Sequence, residues 1–147
     1  MYESDNVTKA RPATYPHEAG AVYVSDGTFE ITAAQNVDEI VVALCVLPVG
    51  CVPLDFVVIV DALDSGASLV WNGGGINVAE DDVDQIMISG SQVGRTGAPG
   101  VVRAALFPIV APLAIETLFG IHVTAQTGGI AGTMRAILTY RAEEYGG

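Results

Sequence analysis

Two histidines and two cysteines are the residues of this chain best suited to catalysis or metal binding. His17 and His122 lie far apart in the sequence, and neither belongs to a His-x-His or a His-x-x-x-His pattern. Cys45 and Cys51 lack the Cys-x-x-Cys spacing of a zinc site. A cupin-type metal centre needs a His-x-His cluster with further ligands. The sequence therefore predicts no metal site and no cofactor.

Motifs that position a nucleophile or a phosphate group are also absent from the sequence. No serine stands in a Gly-x-Ser-x-Gly pattern, and the glycine-rich stretches lack the Gly-Lys-Ser/Thr of a phosphate-binding loop. Glu18 directly follows His17, but adjacent residues of a strand point to opposite faces. His122 lies on an otherwise polar strand face, and we interpret it as a surface or interface residue. We expect no catalytic residue and no enzyme activity.

Residues 80–84 form an acidic run that resembles part of a calcium loop, without the regular Asp-x-Asp-x-Asp-Gly spacing of one. We interpret this run as a solvated loop. Cys45 and Cys51 flank the turn signal at residues 48–50, so their spacing also allows a disulfide. Because the N-terminus has no apolar signal-peptide core, we expect synthesis without export, where thiols are usually reduced. Buried free thiols are the simpler interpretation, and the disulfide state is left open.

The longest apolar stretch of the chain, residues 40–62, is the element around which the rest is organised. Pro48 and Gly50 divide it into two arms, which predicts a strand, a turn and a second strand. A strand with one face in water alternates apolar and polar residues, but the first arm is apolar on both faces. The sequence therefore predicts that another subunit covers the second face. The predicted interface residues are Val41, Ala43, Val57, Ile59 and Trp71.

Short strands separated by turn signals fill the rest of the sequence. Asp26-Gly27 reads as a turn between strands 22–24 and 28–33, and three consecutive glycines, 73–75, end the strand at 67–71. Further strands are predicted at 101–107, 119–126 and 133–141, the last two with clear alternation of apolar and other residues. The one helical possibility is a turn within 111–118. This pattern predicts an all-β protein, an antiparallel β-sandwich, with a jelly roll as the preferred topology. Strand spacing alone does not separate a jelly roll from an immunoglobulin-like sandwich.

The chain divides into two parts by composition. Residues 1–16 are polar and without periodicity, which predicts an extended N-terminal arm that is flexible until it contacts a partner. Residues 17–147 are long enough for one domain with its own core. We expect the sandwich to occupy this second part.

Charge is distributed unevenly along the sequence. The net charge is −11, and no Lys or Arg occurs between Arg11 and Arg95, although this interval contains 12 acidic residues. Such a chain lacks the clustered basic patch of a nucleic-acid-binding protein. No run of about 20 apolar residues is free of charge or proline, so we expect no membrane-spanning helix. The sequence predicts neither nucleic acid nor membrane as a partner.

Four segments carry a resemblance to a known group of proteins: Tyr15-Pro16-His17-Glu18-Ala19-Gly20, Leu44-Cys45-Val46-Leu47-Pro48, Val52-Pro53-Leu54-Asp55 and residues 132–141. Over residues 14–141 the chain resembles small proteins encoded in tailed-phage structural modules. The resemblance implies a capsid decoration protein, also called a cement or auxiliary protein, with a β-sandwich or jelly-roll fold. It also implies a homotrimer bound to the major capsid protein on the outside of the head, made in the host cytoplasm. It carries over no catalytic residue.

Two other functions are compatible with the sequence. A tail or fibre component would share the β-rich and oligomeric character. A carbohydrate-binding jelly-roll module needs exposed aromatic residues over a cleft, for which Trp71 and a few tyrosines are available. Addition of the purified protein to preformed heads separates decoration from a role in the tail.

Overall fold

The computed structural model describes residues 1–4, 7, 21–96 and 99–143. Within these residues the chain forms nine strands. None of the described residues belongs to a helix long and apolar enough to cross a membrane. The strands are β1 (Tyr2–Glu3), β2 (Val22–Ile31), β3 (Val41–Leu47), β4 (Cys51–Val60), β5 (Val70–Ile76), β6 (Val83–Ser91), β7 (Gly100–Arg103), β8 (Thr117–Ala125) and β9 (Gly132–Ala142).

The strands form two sheets that pack face to face. Sheet I has the order β1-β3-β8-β5-β6, and sheet II has the order β2-β9-β4-β7. All pairs are antiparallel except β1 with β3. Without the short β1, the remaining eight strands have the order of a jelly roll. Each strand lies in the sheet opposite to that of the strand before it, except that β5 and β6 are neighbours in sheet I. The predicted all-β sandwich of jelly-roll type is confirmed.

The apolar stretch at residues 40–62 forms two strands, as predicted, but they do not form a hairpin. β3 pairs with β8 in sheet I, whereas β4 pairs with β9 in sheet II. The turn between them contains Gly50 with a φ of 79°, a conformation that favours glycine. The turn therefore carries the chain from one sheet to the other and closes one end of the core.

Two glycine signals that predicted strand ends lie inside strands. β2 runs through Asp26-Gly27 without a turn, and β5 runs through glycines 73–75. A Cβ atom on Gly27 would lie 1.9 Å from the backbone oxygen of Leu44. One on Gly74 would lie 2.1 Å from the backbone oxygen of Gln85. These glycines allow close approach of neighbouring chain segments, and the turn interpretation was wrong.

The segment after β7 also differs from the prediction. β7 ends at Arg103, and residues 104–116 form a loop without a regular strand or the predicted helical turn. Pro108 and Pro112 lie in this loop, where they remove backbone donors that a strand or helix needs. The loop leads from the edge of sheet II to the central strand β8 of sheet I.

The core lies between the sheets and consists of large, fully buried side chains. Phe56 of sheet II and Phe119 of sheet I meet edge to face, with ring centroids 5.7 Å apart. Trp71 is 1% exposed, and its indole N–H donates to the backbone oxygen of Val93 at 2.9 Å. Trp71 is therefore a fixed part of this core.

A second, smaller apolar cluster covers the outer face of β3. Val41 and Ala43 are 4% and 0% exposed, and they pack with Ile76 and Val83. Val7, Ile86 and Leu118 pack against this cluster. The sequence predicted a second subunit as the cover of this face. The cover instead comes from the chain itself.

The first residues of the predicted arm lie on the body of the protein. Tyr2 and Glu3 pair with β3, and the ring of Tyr2 stacks on Phe29 with centroids 5.6 Å apart. Ser4 is 1% exposed, and its hydroxyl donates to the backbone oxygen of Leu44 at 2.9 Å. Apart from Val7, the rest of the predicted arm, 5–16, lies outside the described residues, as does His17.

Candidate functional site

An apolar block lies on the outer face of sheet II, where two of the predicted interface residues are found. Val57 of β4 pairs with Ile137 of β9, and Ile59 of β4 pairs with Val101 of β7. We call this block the β4 face. Val57, Ile59 and Ile137 are half-buried, and Val101 is 65% exposed. Paired residues share one face of a sheet, so the four side chains are neighbours.

Two arginines stand at opposite corners of the β4 face. Arg103 Nε lies 3.4 Å from Asp55 Oδ2, and Arg135 Nη2 lies 2.9 Å from Asp26 Oδ2. The two arginine side chains are 73% and 47% exposed. An exposed ion pair of this kind contributes about 0–1 kcal/mol to stability. Each arginine could therefore leave its aspartate for an acidic group of a partner with little loss of free energy.

The other three predicted interface residues lie inside the chain. Val41 and Ala43 belong to the second apolar cluster, and Trp71 belongs to the core between the sheets. Burial inside one subunit is enough to explain why these three residues are apolar. Val57 and Ile59 remain our prediction for the interface.

A second apolar surface, which sequence analysis missed, lies at one end of the sandwich. Val110 and Ile115 of the loop 104–116 are 84% and 56% exposed, and Val78 is 83% exposed. Val78 and Ile115 line a shallow cavity of about 180 Å³ together with Glu80 and Glu116. We call Val78 and Ile115 the apolar end. The signal was present in the sequence as apolar residues spaced irregularly around two prolines, a pattern that fits neither a strand nor a helix.

His122 lies between two carboxylates on the outer face of sheet I. It is 6% exposed, its Nδ1 lies 2.9 Å from Asp82 Oδ1, and its Nε2 lies 2.9 Å from Glu39 Oε2. Of the two expected positions, surface or interface, exposure at the surface was therefore wrong, and an interface stays a prediction. Both contacts are hydrogen bonds only when both ring nitrogens carry a proton.

The His122 contacts join two loops across the central strand of sheet I. Glu39 precedes β3, and Asp82 precedes β6. Glu39 has a φ of 63°, a left-handed conformation that is uncommon for this residue type. Because each ring nitrogen already contacts a carboxylate, neither is available to act as a base. We interpret this arrangement as a structural clasp.

The side chain of Asn77 holds the acidic run at residues 80–84 in place. Asn77 Oδ1 accepts hydrogen bonds from the backbone N–H groups of Asp81 and Asp82, at 3.1 and 3.2 Å. In the described part of the chain, no three His, Cys, Asp or Glu side chains are grouped so that they could hold a metal ion.

Both cysteines are buried free thiols. Burial raises the pKa of Cys51, and burial, with a smaller effect from the charge of Asp26, raises the pKa of Cys45 to about 12. Cys45 Sγ also donates to the backbone oxygen of Ala136 at 3.3 Å. A thiol with so high a pKa is not a nucleophile at neutral pH.

No family model matches the sequence, and no curated protein matches it significantly. Solved structures do match. A chain in the capsid of Ralstonia phage GP4 is 28% identical with a TM-score of 0.75, over 95% of this chain and 96% of that one. A chain in the capsid asymmetric unit of cyanophage Pam1 is 25% identical with a TM-score of 0.69, over 93% and 96%.

A third structure shares the fold alone. A chain in the acidic stable capsid of Helicobacter pylori bacteriophage KHP30 is 9% identical with a TM-score of 0.55, over 86% of this chain and 92% of that one. The resemblance inferred from the sequence is thus confirmed at the level of the protein type. This chain is a phage capsid-type protein built on a jelly-roll sandwich.

Proposed function

We propose that this chain is a capsid decoration protein that binds the outside of a phage head and stabilises it. The observation that carries the proposal is the match of nearly the whole chain to nearly the whole of a chain in each of two phage capsids. The matched chains are therefore of similar length to this one. A chain of this size in a capsid is suited to an accessory role on a shell built by a larger protein.

The surface chemistry supports a position on the outside of the head. The net charge of −11 disfavours contact with packaged DNA, which is itself strongly negative. The proposed function is binding rather than catalysis, in line with the phage capsid chains that this chain matches. A protein that binds only the assembled shell stabilises it by mass action.

The proposal includes a homo-oligomer, with a trimer favoured, and the major capsid protein as the partner. Val57 and Ile59 are the residues proposed for the contact between subunits. Several subunits that bind one shell together gain affinity through effective concentration.

Heads that lack this protein test the proposal. Such heads are made from the structural genes of the same genome with the gene for this chain removed. We expect the purified protein to bind them saturably, as measured by co-sedimentation, and to raise their temperature of disruption. Heads from a phage with an unrelated shell are the control. If the protein binds tails but not heads, or neither, decoration is wrong.

A further inference from the structure

We propose that the His122 clasp is pH-sensitive and holds the loop at residues 77–82 against sheet I only while both ring nitrogens carry a proton. When the ring loses one proton, its contact with Asp82 opens and this loop is released. The clasp lies within a single subunit, so it works in the same way whether or not the protein decorates a head.

The protonation state of the ring follows from the chemistry of its two partners. Asp82 Oδ1 and Glu39 Oε2 each lie 2.9 Å from a ring nitrogen, and ionised carboxylates only accept hydrogen bonds. A neutral imidazole has one donor nitrogen and one acceptor nitrogen. The acceptor nitrogen of a neutral ring would face a carboxylate lone pair in a site where His122 is 6% exposed. The doubly protonated ring, in contrast, donates to both carboxylates.

The other groups around the ring do not replace its charge. On the outer face of sheet I its nearest neighbours are Gly120 and Thr124 of β8, Val41 of β3 and Asn72 of β5, none of which is titratable. Residues 32–40 and 77–84 contain no Lys or Arg, so the two loops bring no cation to the carboxylates. The further charged residues of these two segments, all of them acidic, are Asp38, Glu80, Asp81 and Asp84. A proton on the ring is therefore the positive charge that this acidic surrounding receives.

The loop at residues 77–82 is closed by its own hydrogen bonds. The N–H of Asn77 donates to the backbone oxygen of Asp82 at 3.0 Å, and the N–H of Glu80 donates to the backbone oxygen of Asn77 at 3.1 Å. The side-chain amide of Asn77 also donates to Asp81 Oδ1 at 2.7 Å. Asp82 ties this closed loop to the central strand β8 through His122.

The two carboxylates of the clasp differ in how their backbones are held. The N–H of Glu39 donates to the backbone oxygen of Val123 in β8 at 2.9 Å, so Glu39 stays beside the ring by its backbone. Asp82 precedes β6, and β5 separates β6 from β8 in sheet I. No strand pairing therefore joins Asp82 to β8. We expect the neutral ring to keep its proton on Nε2, facing Glu39, and to release Asp82.

Opening of the clasp changes a surface of the molecule. Val78 lies in the loop at residues 77–82, is 83% exposed and forms the apolar end with Ile115. The clasp therefore fixes the position of half of this surface. The ring is doubly protonated at low pH, so the loop is held there and is released as the pH rises through the range in which the ring titrates.

Nuclear magnetic resonance of the ring nitrogens tests the protonation state directly. The sequence contains two histidines, so in a His17→Gln variant every histidine signal comes from His122. We expect a proton on both nitrogens at acidic pH and on Nε2 alone at alkaline pH. A ring that is never doubly protonated, or that stays so at every pH at which the protein is folded, overturns the proposal.

Hydrogen exchange of the backbone N–H groups of Asn77 and Glu80 measures the release of the loop. After correction for the intrinsic pH dependence of exchange, their protection should fall about tenfold as the ring loses its proton, the size expected for loss of one hydrogen bond to a charged group. The N–H groups of β9 in sheet II are the internal control and should keep their protection. A loop whose protection stays constant while the ring titrates contradicts the clasp as a switch.

Asp82→Asn separates a pH-sensitive clasp from a static support. The introduced amide both donates and accepts hydrogen bonds, so it binds Nδ1 with or without a proton. The loop should therefore stay in place, and the pH dependence of its protection should disappear. Asp84→Asn is the matched control, because it removes the same charge at an exposed position two residues away and should keep the pH dependence.

Glu39→Gln is a second variant with the same expected result, to be used if Asp82→Asn fails to unfold cooperatively. Its amide binds Nε2 in either protonation state, which leaves the ring proton on Nδ1 for Asp82. A pH dependence equal to that of wild-type protein in either amide variant would show that the clasp is not the switch.

Discussion

Asp64 is a buried charged residue whose partners are almost all backbone groups. It is 0% exposed, and its carboxylate accepts hydrogen bonds from the N–H groups of Gly66, Ser68 and Leu69 at 2.7–2.9 Å. Burial of this carboxyl group acts to raise its pKa, but these N–H groups and the Ser68 hydroxyl outweigh that effect and lower the pKa. The ionised carboxylate of Asp64 therefore holds the loop between β4 and β5 in place.

Replacement of Asp64 by asparagine should destabilise the protein at neutral pH by about 2 kcal/mol, since hydrogen bonds to a charged group are worth about 1.5–3 kcal/mol each and the amide keeps only part of them. Urea denaturation at pH 7 measures the loss. Asp38→Asn, at an exposed position in the loop before β3, is the control and should change little. An unchanged unfolding midpoint for Asp64→Asn would show that the loop does not depend on the charge.

The lowered pKa of Asp64 fixes the direction of the pH dependence. A carboxyl group with a lower pKa in the folded state stabilises the protein fully above its unfolded pKa, and this contribution is lost as the pH falls through the folded pKa. The difference in stability between wild-type protein and Asp64→Asn should therefore shrink at acidic pH, below the ordinary range of an aspartate.

The sequence predicted the types of residues that could do chemistry but not their partners. His122 lies 40 and 83 residues from Asp82 and Glu39, the two residues it contacts. Such pairs depend on the strand order, which local spacing does not reveal. The negative predictions from motifs, in contrast, needed only local sequence.

The strand β2 shows how a local signal was misread at the level of an element. Asp-Gly is a strong turn signal in general, but Gly27 pairs with Ala136 in the middle of a continuous strand. The glycine is required because the backbone of β3 passes too close for any Cβ atom. Turn propensity and close packing favour the same residue, so sequence alone does not separate them.

Replacement of Gly27 by alanine should destabilise the protein by at least about 2 kcal/mol, because the backbone must shift to admit the methyl group. Chemical denaturation measures the effect. Gly66→Ala is the matched control, since the nearest atom to its added Cβ would be 3.9 Å away. Equal stability of the two variants would contradict the close approach of β2 and β3.

The strands with clear alternation were the best predicted elements. β8 and β9 were expected at nearly their observed positions. In both strands, apolar residues that face the core alternate along the sequence with other residues that face away from it. β3 was recognised as covered on both faces, but the nature of the cover was not. Burial can come from a distant part of the same chain as readily as from a partner, and the sequence pattern is the same.

At the scale of the whole molecule, the all-β sandwich followed from strand number and turn spacing, which did not separate a jelly roll from an immunoglobulin-like sandwich. The division of residues 40–62 between two sheets did not, because a tight turn of this length also fits a hairpin. The candidate surfaces were predicted in part. Val57 and Ile59 were proposed because they are apolar residues on the second face of their strand, and their role in an interface stays a prediction. The apolar end was missed because a loop has no periodicity.

The N-terminal segment contributes to the stability of the whole domain. Deletion of residues 2–12 removes the pairing of β1 and the contact of Tyr2 with Phe29. We expect a loss of about 2 kcal/mol, the usual amount for burial of a large side chain. Urea denaturation of the truncated protein measures it. Tyr2→Ala should reproduce much of the loss and Glu3→Ala little, whereas an unchanged midpoint after truncation would indicate a free arm.

The outward arginines of sheet II each lie beside a carboxylate, and this has a consequence for how the molecule approaches another charged body. Arg103, Arg135 and Arg141 are paired with Asp55, Asp26 and Glu143. Opposite charges so close together cancel at a distance, so an approaching molecule meets the field of the net charge of −11 rather than that of any arginine. At physiological salt this field acts only within about 8 Å, the Debye length.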